Sequence, residues 1–387
     1  MLKSQSRERG LLILGGGVAG YFLACFAKDL NPSLPVRVID RSNRKPLSRI
    51  LVSGNGRCNI FNRALLEDRI PDDPLFAQLR RIWRPGCGQH TMAEFARLFQ
   101  VPLYSLGDLM YPFSNRSDTV YQAVLKKAEK LGVETIYGDI EEVDCSRHIV
   151  SVDTGEEKVV RMASDLIALC LGGSCLNYPQ FDWGMFKGLN AEVVPYTPAL
   201  GPIPVREDLS SLEGYRLRGT LQLCDRGHPV YREEGEVLFR KREISGICAF
   251  NCSIRLDPAR VSDFSLVLDG TRHDGTQLPP AAAIDLSVPS RVAQLVFMQA
   301  RARAITPYAA LSDLRFSVAG LPTFKNSQVS CGGVSLDSLD RDLQLKGNPG
   351  IYCLGEMVDI PLPCGGFNIG MCIVEALLVA EALSRGE

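Results

Sequence analysis

Three glycines near the start of the chain stand at a spacing that suits phosphate binding. Gly15, Gly17 and Gly20 follow an apolar run at residues 11–14 and precede residues 18–30, whose apolar positions have helical spacing. In this pattern the first glycine permits a tight turn, the second lets a pyrophosphate approach the backbone, and the third lets the helix lie close to the strand. The phosphates then lie at a helix N-terminus, where unpaired N–H groups favour negative charge. The spacing therefore predicts a strand–turn–helix unit that binds a dinucleotide.

An acidic residue extends this pattern. Residues 36–40 form a second predicted strand, which ends at Asp40. A carboxylate about 20 residues after the last glycine can accept hydrogen bonds from both ribose hydroxyls of an adenine dinucleotide. A glycine-rich turn of an ordinary α/β protein is the alternative interpretation.

A second polar, glycine-containing loop follows at residues 53–59, Ser-Gly-Asn-Gly-Arg-Cys-Asn. Such a loop beside a pyrophosphate can wrap a cofactor with its backbone N–H groups, although a surface turn is an alternative. Cys58 in this loop and Cys364 near the C-terminus are interpreted as small packing residues, with a redox-active thiol pair as the alternative.

Composition excludes several other classes of function. The 43 basic and 44 acidic residues give a net charge of −1 without long runs of one sign, which argues against a dedicated nucleic-acid surface. The 13 cysteines form no CxxC pair, and the four histidines stand in no metal-ligating or nucleophile context. We therefore predict reduced thiols and no metal site, and the sequence assigns no catalytic acid or base.

The N-terminal residues superficially resemble a signal peptide. Lys3, Arg7 and Arg9 precede an uncharged run at residues 11–27 that contains Cys25. Export would not account for the three spaced glycines or for Asp40, so we predict a cytoplasmic protein. We expect no later stretch to be long and apolar enough to span a bilayer.

Further predicted helices and strands are needed to bring these motifs together in the fold. The sequence predicts a helix from a capping box at Thr91, a hairpin over residues 103–113 that turns at Gly107, and a helix over residues 117–131. A strand at residues 133–137 and two strands around residues 153–155 follow, and then an apolar run at residues 166–171 that is typical of a buried parallel strand.

The predicted secondary structure changes between residues 191 and 321. Strand-like segments dominate there, and one helical pattern covers residues 291–304. We predict an inserted, mainly β domain there, without a second dinucleotide motif. Residues 240–242 are interpreted as a solvated basic face, with anion binding as the alternative. Residues 350–356 then predict a strand that ends in Gly-Glu, and residues 364–368 open a last helix. The predicted fold class is therefore α/β: a Rossmann-type dinucleotide-binding domain formed by residues 1–190 and 322–387, with an inserted, mainly β second domain at 191–321.

The motifs together resemble a known family. Gly-Gly-Gly-Val-Ala-Gly, Ser-Gly-Asn-Gly-Arg-Cys-Asn, residues 350–359 and Cys-Gly-Gly-Phe-Asn occur in the order found in BaiN-like (YhiN-like) NAD(P)/FAD-dependent oxidoreductases, a branch of the glutathione-reductase-type flavoproteins. Residues 235–239 and 244–246 are similar to the mid-chain motif of that family, so the resemblance covers nearly the whole chain.

The resemblance implies non-covalently bound FAD. We expect hydride or electrons to pass between a small organic substrate and NAD(P)H or oxygen, with NAD(P)H as a transient donor and the substrate between the β domain and the flavin. The resemblance places along the cofactor Gly15, Gly17, Val18, Ala19, Gly20, Asp40, Arg41, Arg49, Ser53, Gly54, Gly56, Arg57, Cys58, Asn59, Ile140, Gly172, Gly355, Glu356, Asp359, Gly366, Phe367, Asn368 and Ile369.

The chain also departs from the family pattern. Asp40, Arg49 and Asn55 replace the commoner Glu, Lys and Gly, residues 174–188 lack a usual glycine-rich loop, and the insert is shorter between residues 255 and 314. We therefore expect an FAD-dependent oxidoreductase of undetermined substrate and oligomeric state, without membrane or nucleic-acid partners. A flavin-binding sensor or scaffold with little turnover and an NAD-dependent dehydrogenase are the alternatives.

Overall fold

A computed structural model describes residues 8–41, 46–155, 159–175, 181–273 and 275–385. Its α-helices are α1 (Val18–Leu30), α2 (Ser48–Val52), α3 (Arg63–Leu66), α4 (Ala77–Ile82), α5 (Cys87–Phe99), α6 (Ser117–Lys130), α7 (Ile247–Ser253), α8 (Ile284–Ser287), α9 (Ser290–Arg303), α10 (Pro307–Leu311) and α11 (Phe367–Arg385). Its strands are β1 (Glu8–Leu14), β2 (Val36–Asp40), β3 (Phe61–Asn62), β4 (Leu103–Leu106), β5 (Leu109–Pro112), β6 (Glu134–Tyr137), β7 (Asp139–Asp144), β8 (Ile149–Asp153), β9 (Val160–Leu169), β10 (Phe186–Lys187), β11 (Val193–Ala199), β12 (Ile203–Pro204), β13 (Arg216–Asp225), β14 (His228–Arg240), β15 (Glu243–Ser245), β16 (Phe264–Asp269), β17 (Arg272–His273), β18 (Thr276–Gln277), β19 (Leu314–Ser317), β20 (Val329–Val334) and β21 (Ile351–Cys353).

The chain divides into two compact units. Of the described residues, the first unit contains those within 8–173, 181–196 and 331–385, and the second contains 174, 175 and those within 197–330. Each unit has its own hydrophobic core of buried side chains.

A mixed, eight-stranded sheet with a run of parallel strands forms the centre of the first unit. Its strands lie in the order β10-β7-β8-β9-β1-β2-β6, and β21 also pairs with β9. Strands β6, β2, β1, β9 and β21 run parallel, whereas the first half of β9 pairs antiparallel with β8. Parallel strands joined by helices are buried on both faces, which explains the continuous apolar sequences of β1 and the end of β9. The predicted Rossmann-type fold class is confirmed.

Helices α1 and α11 pack against each other in the first unit, and both contribute to its core. The apolar α11 is long and apolar enough to cross a membrane by length and composition, so the expectation that no later stretch would qualify was wrong. The structure buries 56% of its most apolar 18-residue window inside the protein, as expected for a core helix.

A six-stranded antiparallel sheet, in the order β12-β15-β14-β13-β16-β19, forms the second unit together with helices such as α9. The predicted helix at residues 291–304 is present as α9, but the sequence analysis missed the buried α7. Residues Arg240 and Lys241 of the predicted basic face lie near Glu243 and Glu213, at 3.6 and 3.9 Å.

Most local predictions in the first unit agree with the structure. Helix α1 has the predicted bounds, and β4 and β5 form the predicted hairpin. The helix predicted from a capping box at Thr91 instead begins at Cys87, and Thr91 is a buried residue inside α5. Gly86 caps this helix in a left-handed conformation, and its N–H donates to the Asp68 carboxylate at 2.8 Å. A contact from a distant part of the sequence therefore fixes the start of α5.

Candidate functional site

The three glycines of the first motif meet different surroundings. Gly15 has φ +113°, and a Cβ atom there would lie 2.3 Å from the carbonyl oxygen of Cys170. A Cβ atom on Gly20 would lie 2.0 Å from the carbonyl oxygen of Gly15. Packing therefore requires glycine at both positions. Gly17 faces open space, because no atom of the described residues lies within 4 Å of its hypothetical Cβ.

The start of α1 is suited to an anion. Gly17 is the N-cap residue and supplies no side-chain cap, and the first turn contains no acidic residue. The N–H groups of Val18 and Ala19 belong to this first turn, where no intrahelical acceptor is available. These donors and the helix dipole favour a phosphate at this position.

Asp40 lies directly beside the glycine turn. A Cβ atom on Gly16 would be 2.7 Å from the Asp40 carboxylate. The backbone oxygen of Asp40 accepts a hydrogen bond from Gly138 N at 2.8 Å, and the Arg41 side chain lies 3.8 Å from Asp139. Ile140 follows Asp139 in β7, one residue beyond these contacts.

The loop at residues 53–59 has an unusual backbone. Gly54, Asn55, Gly56 and Cys58 all have positive φ, between +55° and +80°. Cys58 N donates to Ser53 O at 3.0 Å and closes the loop. The loop thus turns its backbone tightly.

The loop is anchored at both ends. Ser53 donates its hydroxyl to Ile50 O at 2.7 Å, at the end of the short helix α2 that contains Arg49. The Arg57 guanidinium lies 4.9 Å from the centre of the Tyr111 ring. These contacts hold the loop residues in one arrangement.

The same loop contacts the start of the last helix. A Cβ atom on Gly366 would lie 2.7 Å from Asn59 Oδ1 and 2.5 Å from Phe61 O, and Asn62 donates to Gly365 O at 2.8 Å. Asn59 Oδ1 is buried and accepts no hydrogen bond from any described residue. The two most specific sequence motifs therefore meet around an unpaired acceptor.

The residues that follow Gly366 have internal partners. Phe367 packs on Phe76 with ring centres 5.1 Å apart, and Asn368 donates its amide to Leu362 O at 2.8 Å. Ile369 is partly buried against the core. These contacts fix the start of α11.

The turn after β21 lies beside α1. A Cβ atom on Gly355 would lie 3.0 Å from the Ala19 side chain. The Tyr196 hydroxyl lies 3.3 Å from both Gly172 O and Glu356 O, so it bridges the turns that follow β9 and β21.

Asp359 follows this turn and accepts a hydrogen bond from Gly332 N at 3.1 Å. Burial raises the pKa of the Asp359 carboxyl above its usual range, and the Gly332 hydrogen bond partly offsets this effect. The sequence reasoning missed Tyr196, which no motif marks, and Glu375, a carboxyl group within the apolar α11.

The predicted residues form a continuous series along the first unit. Asp40 touches Gly16, and Gly16 O accepts a hydrogen bond from Leu47 N at 2.8 Å, just before α2. Helix α2 leads into the 53–59 loop, which reaches Gly366 through Asn59. This series combines an anion-binding helix start, a carboxylate, a loop rich in backbone donors and a buried acceptor. That donor and acceptor set fits FAD.

The fold and site define a Rossmann-type dinucleotide-binding protein. The pattern of the family described as HI0933-like protein Rossmann domain matches residues 9–382, so the chain belongs to this family of FAD-dependent oxidoreductases. The resemblance found in the sequence is thereby confirmed.

Two relatives are similar over nearly their whole lengths. The chain is 24% identical to the ribosomal RNA dihydrouridine synthase of Escherichia coli, with 96% of this chain and 97% of the relative covered. It is 22% identical to the 3-dehydro-bile acid delta(4,6)-reductase of Clostridium scindens, with 96% and 98% covered.

Among solved structures, the fold is similar to 3-ketosteroid delta1-dehydrogenase from Sterolibacterium denitrificans. The TM-score is 0.51 at 12% identity, with 99% of this chain and 100% of that chain covered. This likeness supports the fold.

Proposed function

We propose that this chain binds FAD from Asp40 to the start of α11 and transfers hydride between a small organic substrate and NAD(P)H or oxygen. The observation that carries the proposal is the buried, unpaired Asn59 Oδ1 beside Gly366. An unpaired buried acceptor costs about 1–3 kcal/mol, so a ligand that donates a hydrogen bond there is favoured. The isoalloxazine ring of a flavin carries such an N–H donor.

Each part of the site has a role toward this cofactor. The N–H groups at the start of α1 would bind the pyrophosphate, and Asp40 would accept hydrogen bonds from the adenosine ribose. Backbone N–H groups at the start of α11 favour negative charge by about 1–2 kcal/mol, which corresponds to about 20–40 mV for a two-electron couple. Bound FAD supplies the hydride chemistry, and these residues orient it and stabilise its charge.

We infer further that the reaction is the reduction of a carbon–carbon double bond conjugated to a carbonyl group. The names of the two relatives describe this chemistry: dihydrouridine is uridine with a saturated ring double bond, and a delta(4,6)-reductase of a 3-dehydro-bile acid acts on double bonds beside a ketone. Saturation of one bond consumes one hydride from NAD(P)H and one proton. The near-zero net charge of the chain supports a small molecule over an RNA as substrate.

The test begins with the purified, FAD-loaded protein under anaerobic conditions. We expect NADH or NADPH to bleach the flavin absorbance near about 450 nm, and a conjugated 3-oxo-4,6-diene bile acid to restore it. A uridine-containing ribosomal RNA fragment serves as the second acceptor, and air-saturated buffer as the third.

The outcomes separate the alternatives. Reoxidation by the small enone supports the proposal, whereas reoxidation by the RNA alone would assign a nucleic-acid substrate. A bound flavin that no donor reduces would indicate a sensor or scaffold. A protein that binds no FAD would contradict the proposal as a whole.

A further inference from the structure

One buried carboxyl group lies beside the proposed cofactor contacts without belonging to them. Glu375 is on α11 and is only 2% exposed. Its Oε2 accepts a hydrogen bond from Gly355 N at 2.6 Å. None of the ion pairs found among the described residues includes Glu375, so no cation balances a negative charge there.

Gly355, which donates this hydrogen bond to Glu375, is tightly enclosed. Gly355 has φ +67°, and a Cβ atom there would lie 3.0 Å from the Ala19 side chain and 3.5 Å from Cys372 Sγ. Ala19 belongs to the first turn of α1, and Cys372 lies one turn before Glu375 on α11. Glu375 therefore links the turn after β21 to α11. This turn packs against Ala19, at the start of the helix that is proposed to bind the phosphates.

We propose that Glu375 is a positioning residue that carries a proton and holds the Gly355 turn in place for the pyrophosphate of FAD. This inference rests on the proposed FAD site. A protonated carboxyl group keeps one oxygen free to accept the Gly355 hydrogen bond and places no negative charge beside the phosphates.

The surroundings of Glu375 favour the protonated form. Burial raises its pKa to about 8, although the hydrogen bond from Gly355 lowers it in part. Burial also raises the pKa of the neighbouring thiols, so they are uncharged near neutral pH and add no negative charge beside Glu375. The titratable groups that face this region are Cys372 on α11, Cys353 on β21, Cys170 after β9 and Glu356 in the turn.

This arrangement couples FAD binding to a proton. Below about pH 8 the Glu375 carboxyl group is already protonated, so it contributes no pH dependence to FAD affinity. Above that pH the free protein must take up a proton before FAD binds. We therefore expect the Kd for FAD to rise up to about tenfold per pH unit there.

The experiment measures the Kd for FAD from about pH 6 to about pH 9 by flavin fluorescence, together with proton uptake on binding in weakly buffered solution. It compares the wild-type protein with Glu375→Gln and Glu375→Ala. Glu375→Gln keeps an oxygen that accepts from Gly355 N, but it cannot ionise. Glu381→Gln is the matched control, because Glu381 lies on the same helix beside the exposed His90.

We expect the wild-type protein and Glu381→Gln to share the rise in Kd above about pH 8, and Glu375→Gln to bind FAD with a flat profile. Glu375→Ala loses the contact and binds FAD at least about tenfold more weakly at every pH. Identical pH profiles and proton uptake for wild type and Glu375→Gln would overturn this inference alone. Absence of FAD binding by the wild-type protein would overturn both this inference and the proposed function.

Discussion

At the residue scale, substitutions of Gly17 and Gly20 distinguish an effect on cofactor binding from an effect on folding. Gly17→Ala places its Cβ atom in open space at φ −83°, so the free energy of unfolding without FAD should change by less than about 0.5 kcal/mol. The same methyl group enters the region where the phosphates would approach, so the Kd for FAD should rise at least about tenfold. Thermal unfolding of the apo-protein and a flavin fluorescence titration measure the two effects.

Gly20→Ala provides the contrast. Its Cβ atom would collide with the Gly15 carbonyl oxygen at 2.0 Å, so this variant should lose stability even without FAD. A Gly17→Ala protein that binds FAD like the wild type would contradict the proposed phosphate position.

Cys58 tests the redox-thiol alternative. The side chain is fully buried, and burial raises the pKa of its thiol to about 11, although a hydrogen bond with Ser53 lowers it in part. A protonated thiol is a poor nucleophile, so we expect iodoacetamide at about pH 7.5 to leave Cys58 unmodified in the folded protein. We also expect Cys58→Ser to leave flavin reduction within about twofold of wild type.

Mass spectrometry of the alkylated peptides and stopped-flow absorbance provide the readouts. The unfolded protein is the control, in which Cys58 should react fully. Rapid alkylation of Cys58 in the folded state would support the redox pair instead.

At the element scale, the backbone of the 53–59 loop sets the position of Asn59. Gly54 has φ +55°, and a Cβ atom there would lie 2.8 Å from Asn59 N. Gly54→Ala should therefore displace Asn59 and weaken flavin binding at least about tenfold, in addition to a loss of about 1 kcal/mol of stability from the left-handed backbone.

Gly107→Ala is the matched control for this loop. Gly107 has φ +60° at the β4–β5 hairpin, and no described atom lies within 4 Å of its hypothetical Cβ. It should lose similar stability by thermal unfolding but keep wild-type affinity for FAD. Equal flavin affinity in the two variants would show that Asn59 does not position the flavin.

The contrast between elements also explains what the sequence could predict. Helix α1 and strand β2 follow from local glycine spacing and apolar periodicity, and their predicted bounds match the structure. The start of α5 depends on a hydrogen bond between Gly86 and Asp68, which no local pattern encodes. The missed α7 is short, so periodicity is a weak signal there.

The same distinction applies to the candidate site, where some residues could be predicted from the sequence and others could not. The glycine motif and Asp40 were recognisable because their chemistry depends on sequence spacing. The bridge made by Tyr196 depends on folding, since its hydroxyl contacts Gly172 and Glu356 from distant parts of the chain. Glu375 gave a local signal as an acidic residue in an apolar helix, but its partner Gly355 is visible only in the structure.

At the scale of the whole molecule, the residues proposed to contact FAD all lie in the first unit. The second unit has a separate core, built from residues 203–318 around its six-stranded sheet. Because each unit has its own core, we expect a ligand that binds one unit to stabilise that unit selectively.

This division predicts that residues 197–330 fold when they are produced alone and do not bind FAD. The separate core gives the physical reason, because it takes its buried side chains from within this segment. We expect a single cooperative thermal transition by circular dichroism, and no shift of that transition when FAD is added. In the full chain, FAD at 100 times its Kd should stabilise the first unit by about 2.7 kcal/mol.

The full-length protein without FAD is the control for the stabilisation, and differential scanning calorimetry resolves the two transitions. If the isolated segment bound FAD with the affinity of the full-length protein, the cofactor contacts would lie in the second unit and not in the first. A segment without cooperative unfolding would show that the second core depends on the rest of the chain. Either result would require the proposed division between cofactor binding and the inserted domain to be abandoned.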